Sequence, residues 1–403
     1  MSETSDLLAA IADTGRDATR GGYSRPVFST AERDLVSWYT AELAARGLEA
    51  ETDRNGIVWA WWNPAGLPLE GAVVTGSHLD SVPGGGAFDG PLGVASALRS
   101  LDLLRQRGVV PSRPLGLAVF PEEEGSRFGV ACLGSRLLTG AITAEKALAL
   151  TDPEGNTFAD VAARSGFDPR GFGRDEETLA RIGTFVELHV EQGRGLIDLD
   201  APVAVASSVI GHGRWRFSVH GQGNHAGTTL LEDRRDPLLA ASRLVVAVRE
   251  VAAANPGTRA TVGRLHPVPG GTNVIASRVD LWLDVRHPED VVTVAVVAEI
   301  TRRAQEIAAG EGCSVEVREE SFGATVDFDP ALARRITGVL DGAPNLSTGA
   351  GHDAGILAAV VPTAMLFTRN PTGVSHSPEE ACTDEDAELG STALADVLAD
   401  LLV

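Results

Sequence analysis

The stretch from Gly76 to Gly90 reads GSHLDSVPGGGAFDG and carries His78, Asp80 and Asp89. Further on, FPEEEGSRFG carries Glu122, Glu123 and Glu124. Imidazole and carboxylate groups together are the donor set for zinc, manganese or cobalt. A lone His-x-Asp is weak evidence, because a polar turn between two core elements uses the same residue types. Read as chemistry, Asp80 accepts the second ring N–H of His78 and fixes its tautomer. Two more histidines stand beside acids or glycines at expected strand ends: His189 in ELHVEQG and His376 in SHSPEE. These donors suffice for two ions that share one carboxylate, which is hydrolytic chemistry. His225 in GQGNHAGTT and His352 in GAGHDAG lie in glycine-flanked loops. His212, His220, His266 and His287 have no such company and read as surface or internally satisfied side chains.

The elements that must position these residues follow from local patterns. GIVWAWW, GAVVTGS and PLGLAVF are short apolar, β-branched runs and read as strands. STAERDLVSWYTAELAARGLEA reads as a helix, with Ser29 and Glu32 as a capping box and Gly47 as its stop. GPLGVASALRSLDLLRQRG also has helical spacing and ends at a glycine. Strands alternating with helices imply an α/β layer with a mostly parallel sheet. His78 then falls just past the C-terminal end of one strand, and Glu122 to Glu124 just past the next. Ligands bind at that edge of open α/β sheets.

The pattern changes after Ile210. Between about Gly211 and Thr325 the expected order is β-α-β-β-α-β, a small ferredoxin-like four-stranded sheet with two helices on one face. This region reads as an insertion: residues 1–210 and 326–403 form the catalytic domain, and 211–325 a separate one. In RVDLWLDVRHP, Leu281, Leu283 and Val285 alternate with Trp282, Asp284 and Arg286, so Arg286 lies on the polar face. A pairing of Arg286 with Asp284 is the commoner outcome for such a pattern.

With 403 residues, 43% hydrophobic and 22% charged, the chain is globular and long enough for two domains. The net charge of -21 argues against nucleic acid and anionic membrane as partners. Cys132, Cys313 and Cys382 are too few and too scattered for a disulfide framework. The N-terminus lacks a signal-peptide pattern, and the longest apolar run, GILAAVVPTAMLF, is short and holds Pro362. A cytoplasmic location is expected.

The ordered series GSHLDS, GGAFDGPLGV, EEEGSRFG, ELHVEQG, GNHAGTT, GGTNVI, DVRHP, GAGHDAG and SHSPEE resembles the M20 metallopeptidase superfamily, from about residue 20 to the C-terminus. Within it, the set is similar to the branch of N-carbamoyl-L-amino acid hydrolases, β-ureidopropionases and allantoate amidohydrolases. The resemblance implies a di-metal aminopeptidase-like catalytic domain with a lid and dimerisation domain inserted, and a homodimer formed through the insert. Gly211 and Gly323 would be its hinges. It implies two divalent ions (Zn, Mn or Co), one held by His78 and His189, the other by Glu124 and His376, with Asp89 bridging. Glu123 would be the general base, and Glu122 receives no role. Gln192, His225, Asn273, Arg286 and His352 would contact a small carboxylate substrate. His225 would also stabilise the oxyanion, and Arg286 would read the carboxylate with its planar fork. A turn residue stabilising its own loop is a serious alternative for Asn273 and His352. The implied reaction is hydrolysis of the carbamoyl C–N bond of an N-carbamoyl-L-amino acid to amino acid, ammonia and carbon dioxide. Allantoate amidohydrolase is the nearest alternative. An aminopeptidase is disfavoured by His189 and Gln192, and a non-catalytic binding protein by the complete donor set.

Overall fold

The computed structural model describes residues 2–403. Its strands are β1 (Ala50–Thr52), β2 (Val58–Trp62), β3 (Ala72–His78), β4 (Leu115–Phe120), β5 (Ile182–Val190), β6 (Val203–Val209), β7 (His212–His220) and β8 (Asn224–His225). They continue with β9 (Arg259–Val268), β10 (Val274–Ile275), β11 (Arg278–Arg286), β12 (Ser314–Gly323), β13 (Val326–Asp327), β14 (Asn345–Thr348) and β15 (Thr363–Thr368). The chain divides into two units: residues up to Val209 together with Asp327–Val403, and Ile210–Val326.

In the first unit, every residue of β3, β4 and β15 is buried. Strands covered on both faces need continuous apolar runs rather than alternation, which is what AVVTGSH and LGLAVF supply. The nine-stranded sheet has the order β1-β2-β4-β3-β5-β15-β6-β13, with β14 beside β6. Its centre is parallel: β3 pairs with β4 and β5, and β5 with β15. The flanks β1, β2 and β6 add antiparallel pairings, so the sheet is mixed rather than mostly parallel. The reason is local: β1 and β2 are joined by a short turn at Asp53–Gly56, and such a connection can only reverse direction. His78 stands level with Phe120 and Phe367 level with His189, so the C-terminal ends of β3, β4, β5 and β15 share one edge.

Helix Thr30–Ala45 begins at the N-cap Ser29, whose hydroxyl accepts the Glu32 N–H at 3.2 Å. The Glu32 carboxylate accepts the N–H of Phe28 rather than that of Ser29, a capping box shifted by one residue. Gly47 takes φ +69 beyond the last turn, which a Cβ would disfavour. Leu35, Tyr39 and Leu43 repeat every fourth residue along the buried face. Full burial of a side chain of this size contributes about 1.5–3 kcal/mol.

In the second unit, β7, β9, β11 and β12 form an antiparallel sheet of order β12-β7-β11-β9. Helix Pro237–Ala254 lies in the chain between β7 and β9, and helix Asp290–Gly310 between β11 and β12. Trp215, Phe217, Val219, Leu281, Leu283 and Val285 alternate inward onto a core that includes Leu244, Val248, Val296 and Ile300 of the two helices. The intervening residues, Trp282, Asp284 and Arg286 among them, face away from it and are only half-buried.

Candidate metal centre

Two parallel strands deliver two imidazoles to the same place. His78 ends β3, and His189 is the penultimate residue of β5; both are fully buried. Their rings are stacked with centroids 5.7 Å apart. Each turns Nδ1 to a backbone carbonyl, His78 to Asp80 O at 3.1 Å and His189 to Val190 O at 2.9 Å. A carbonyl can only accept, so Nδ1 carries the proton and the neutral ring presents a lone pair at Nε2. Both Nε2 atoms are buried and make no hydrogen bond. They face the same oxygen, Asp89 Oδ1, at 3.4 and 3.2 Å.

Asp89 arrives from the turn before helix Pro91–Gln106. The intervening Gly90 has φ +84, and a Cβ there would strike the His78 ring. The other Asp89 oxygen lies 3.4 Å from His376 Nε2, which is 3.3 Å from Glu124 Oε2. Ligand atoms of His78, Asp89 and His189 lie within 4.8 Å of one another, and so do those of Asp89, Glu124 and His376. Two donor clusters thus share one carboxylate. The orphaned, buried Nε2 lone pairs opposite a carboxylate fit a divalent cation, and the mixed nitrogen and oxygen donors suit zinc, manganese or cobalt.

The charge balance agrees. Asp80, Asp89, Glu123, Glu187 and Asp353 are buried, and none is ion-paired to lysine or arginine among the described residues. Burial holds the Glu123 carboxyl well above the usual carboxylate range, with Asp353, Glu124 and Asp80 adding to it against the pull of His78. Burial and Asp89 do the same for Glu124. Burial raises Asp353 to about 8, helped by Glu187. For His78 burial favours the neutral ring, yet Glu123, Asp80 and Asp89 outweigh it and pull its pKa well above 6.5, a demand for positive charge at Nε2 that a bound cation would meet in place of a proton. A pocket with this excess of acid is stabilised by added positive charge.

Some expected residues are placed differently. The Asp80 carboxylate is 3.5 Å from the His78 ring, farther than its own backbone carbonyl. Its oxygens instead accept the N–H groups of Glu123 and Glu124, both at 3.1 Å, and so lock the turn that carries them. Gln192 is built into the outer cluster: its Nε2 donates to Asp89 Oδ2 at 2.9 Å and lies 3.2 Å from His376 Nε2. Glu122 takes φ 54, and its carboxylate accepts the N–H groups of Arg127 and Phe128, a staple for the same turn. His352 caps no helix N–H with its side chain. Its ring is buried with both nitrogens unpartnered, 4.5 Å from the His189 ring, and burial and His189 hold it well below 6.5. Its Nδ1 is 4.0 Å from Glu123 Oε1.

The second unit does not bring its three candidates together. His225 pairs with Val274 in the β8–β10 ribbon, and the carbonyl of Asn273 accepts the Ala226 N–H at 2.9 Å, so these two are neighbours. The ribbon continues from the end of the sheet where Arg278 pairs with His220. Arg286 is at the other end of β11, about 27 Å from Arg278 at ~3.4 Å per residue. Its guanidinium donates to Asp284 Oδ1 at 2.8 Å, the commoner pairing foreseen for that strand. His287, read as internally satisfied, accepts the Glu289 N–H at 2.9 Å.

Four buried groups escaped the sequence. Glu187 accepts from Ser77 Oγ at 2.9 Å and the Ala354 N–H at 3.0 Å. Asp353 accepts from Ser135 Oγ, and the Cys132 thiol lies 3.4 Å from Glu123 Oε1. Glu380 accepts the N–H groups of Phe88 and Asp89. A signal existed for Glu187 alone: it stands two residues before His189 on a strand and so faces the same way.

Residues 74–400 match peptidase family M20/M25/M40. The chain belongs to that family. It is 35% identical over 394 residues to an N-carbamoyl-L-amino acid amidohydrolase of Geobacillus stearothermophilus, covering 96% of this chain and 95% of the relative. It is 32% identical to an allantoate amidohydrolase of Bacillus subtilis, covering 98% and 96%. Among solved structures, an amidase of the hydantoinase/carbamoylase family from Burkholderia multivorans superimposes with a TM-score of 0.87 at 31% identity, over 100% of this chain and 98% of that one. Among the described residues of this M20 member, no helix is long and apolar enough to cross a membrane.

Proposed function

We propose that this M20 member is a metal-dependent amidohydrolase that cleaves the carbamoyl C–N bond of N-carbamoyl-L-amino acids, releasing amino acid, ammonia and carbon dioxide. The observation that carries the reading is the pair of orphaned Nε2 lone pairs of His78 and His189 facing Asp89, beside a second cluster on the same carboxylate. His78 and His189 would hold one ion, Glu124 and His376 the other, and Asp89 both. Bound ions of this kind supply an acidified water and a Lewis acid for the carbonyl.

The chain's own residues do the proton work. Glu123 is buried beside the first cluster, with Oε2 3.7 Å from His78 Nε2, and is the carboxylate placed to serve as base. It takes the proton of the attacking water and returns it to the leaving nitrogen. His352, held neutral, has a free ring nitrogen near Glu123 for the substrate or its oxyanion. Gln192 holds Asp89 and stands beside the substrate. His225 and Asn273 supply further polar contacts, and Arg286 reads the carboxylate.

The insert is proposed as lid and dimer interface. The β8–β10 ribbon and Arg286 belong to opposite ends of β11, an arrangement that supports a second copy supplying one of His225 and Arg286 to the substrate. The similarity to an allantoate amidohydrolase supports allantoate as the second candidate substrate. The test is turnover of N-carbamoyl-methionine against allantoate after reconstitution with Mn²⁺, Co²⁺ or Zn²⁺. We expect the carbamoyl amino acid to be preferred, and activity to disappear with chelator. Activity untouched by chelation in a metal-free protein would end the metal reading, and preference for allantoate would exchange the substrates.

A further inference from the structure

The outer cluster rests on a support that none of its own donors provides. His376 lies in the irregular loop after β15, with its side chain 49% exposed. Its backbone is at φ 57, in the left-handed region that a residue with a Cβ adopts only when its surroundings hold it there. Glu380, four residues on, is buried. Its Oε1 accepts the N–H groups of Phe88 and Asp89, both at 3.0 Å, and its Oε2 is 3.1 Å from Ser375 Oγ. The Ser375 hydroxyl is also 3.3 Å from Asp89 Oδ2 and accepts from Gln192 Nε2 at 3.0 Å. Gly86 makes room, since a Cβ there would collide with the Glu380 carboxylate. One buried carboxylate therefore ties the peptide carrying Asp89 to the loop carrying His376.

We propose that Glu380 is a positioning residue that builds the outer cation site, acting through the Asp89 peptide and the Ser375 hydroxyl. This rests on the two-ion reading above. Without the carboxylate, two N–H groups lose their acceptor and the His376 loop loses its tie. Supports one shell removed from an ion commonly set about 10–100-fold of its affinity. The inner cluster keeps two strand-borne histidines and loses less.

The experiment is calorimetric titration of metal-free protein with Zn²⁺, using His376→Ala to identify the outer binding event. Two ions are expected for the unaltered chain. Glu380→Ala should weaken the outer event by about 10–100-fold and the inner one less. Glu380→Gln should recover most of the loss, because its amide oxygen still accepts both N–H groups. Ser375→Ala removes only a hydroxyl, so it keeps the test open if Glu380→Ala does not fold; it too should weaken the outer event selectively. Unaltered outer affinity in Glu380→Ala and Ser375→Ala overturns the proposal, as does equal weakening of both events without recovery in Glu380→Gln. Fewer than two ions on the unaltered chain overturns the two-ion reading itself, and this inference with it.

Discussion

The inner and outer donor clusters share Asp89 but are built by different means. His78 and His189 sit on adjacent parallel strands, where the β3–β5 ladder sets their spacing and each Nδ1 is fixed by a carbonyl within two residues. Glu124 and His376 sit on loops, where no ladder reaches. There the spacing depends on side chains that bind backbone from a distance: Asp80 on the Glu123–Glu124 peptides, and Glu380 on the Phe88–Asp89 peptides. The difference teaches that strand-borne donors are placed by the fold itself, whereas loop-borne donors need their own buried acceptors.

This contrast can be broken or sharpened by substitution. Asp89→Ala removes the one group common to both clusters and should abolish binding of both ions, with a loss of turnover beyond the ~10⁴-fold upper range of a lost general base. Elemental analysis and initial rates would check it; retention of one tightly held ion would show that the clusters are independent. Glu123→Gln, nearly isosteric, should keep both ions and the fold while kcat falls about 10²–10⁴-fold. A near-normal kcat would move the role to another carboxylate, although Glu122 already has one oxygen committed to backbone. Arg286→Ala should raise KM by about 10- to 100-fold with little change in kcat, as expected for a charge-assisted contact. If Arg286 serves only Asp284, KM will not move.

The smallest effect concerns stability. Burial places the Asp353 carboxyl at about 8, above its ordinary 3.8, so the folded state binds the proton more tightly than the unfolded state. Its contribution is then fully present below about pH 4 and is lost as pH rises through about 8. Thermal melts of metal-free protein should show stability declining across that window, and Asp353→Asn should flatten the decline. An identical slope in the variant would remove Asp353 as its source.

Much of this was legible before any coordinates, for local reasons. Strand β3 could be read from AVVTGS because a strand buried on both faces must be apolar throughout. The alternation of RVDLWLDVR placed Arg286 beside Asp284 and away from the core, where the structure has it. What escaped was non-local. The antiparallel pairing of β6 with β15 depends on which strands meet, and the separation of the β8–β10 ribbon from Arg286 depends on the run of β11 between them.

The sequence by itself determined which side chains could bind a cation, and it determined that several follow apolar runs, because residue chemistry and strand period are properties of a few neighbouring residues. The family resemblance supplied Asp89 as the shared donor; only the tertiary structure decided that Asp80 serves the backbone of Glu123 and Glu124, and that Glu380 supports Asp89 from the far end of the chain. Those pairings join residues that are remote in sequence. A buried N–H takes whichever acceptor the packed chain brings to it, and no local pattern records which one that will be.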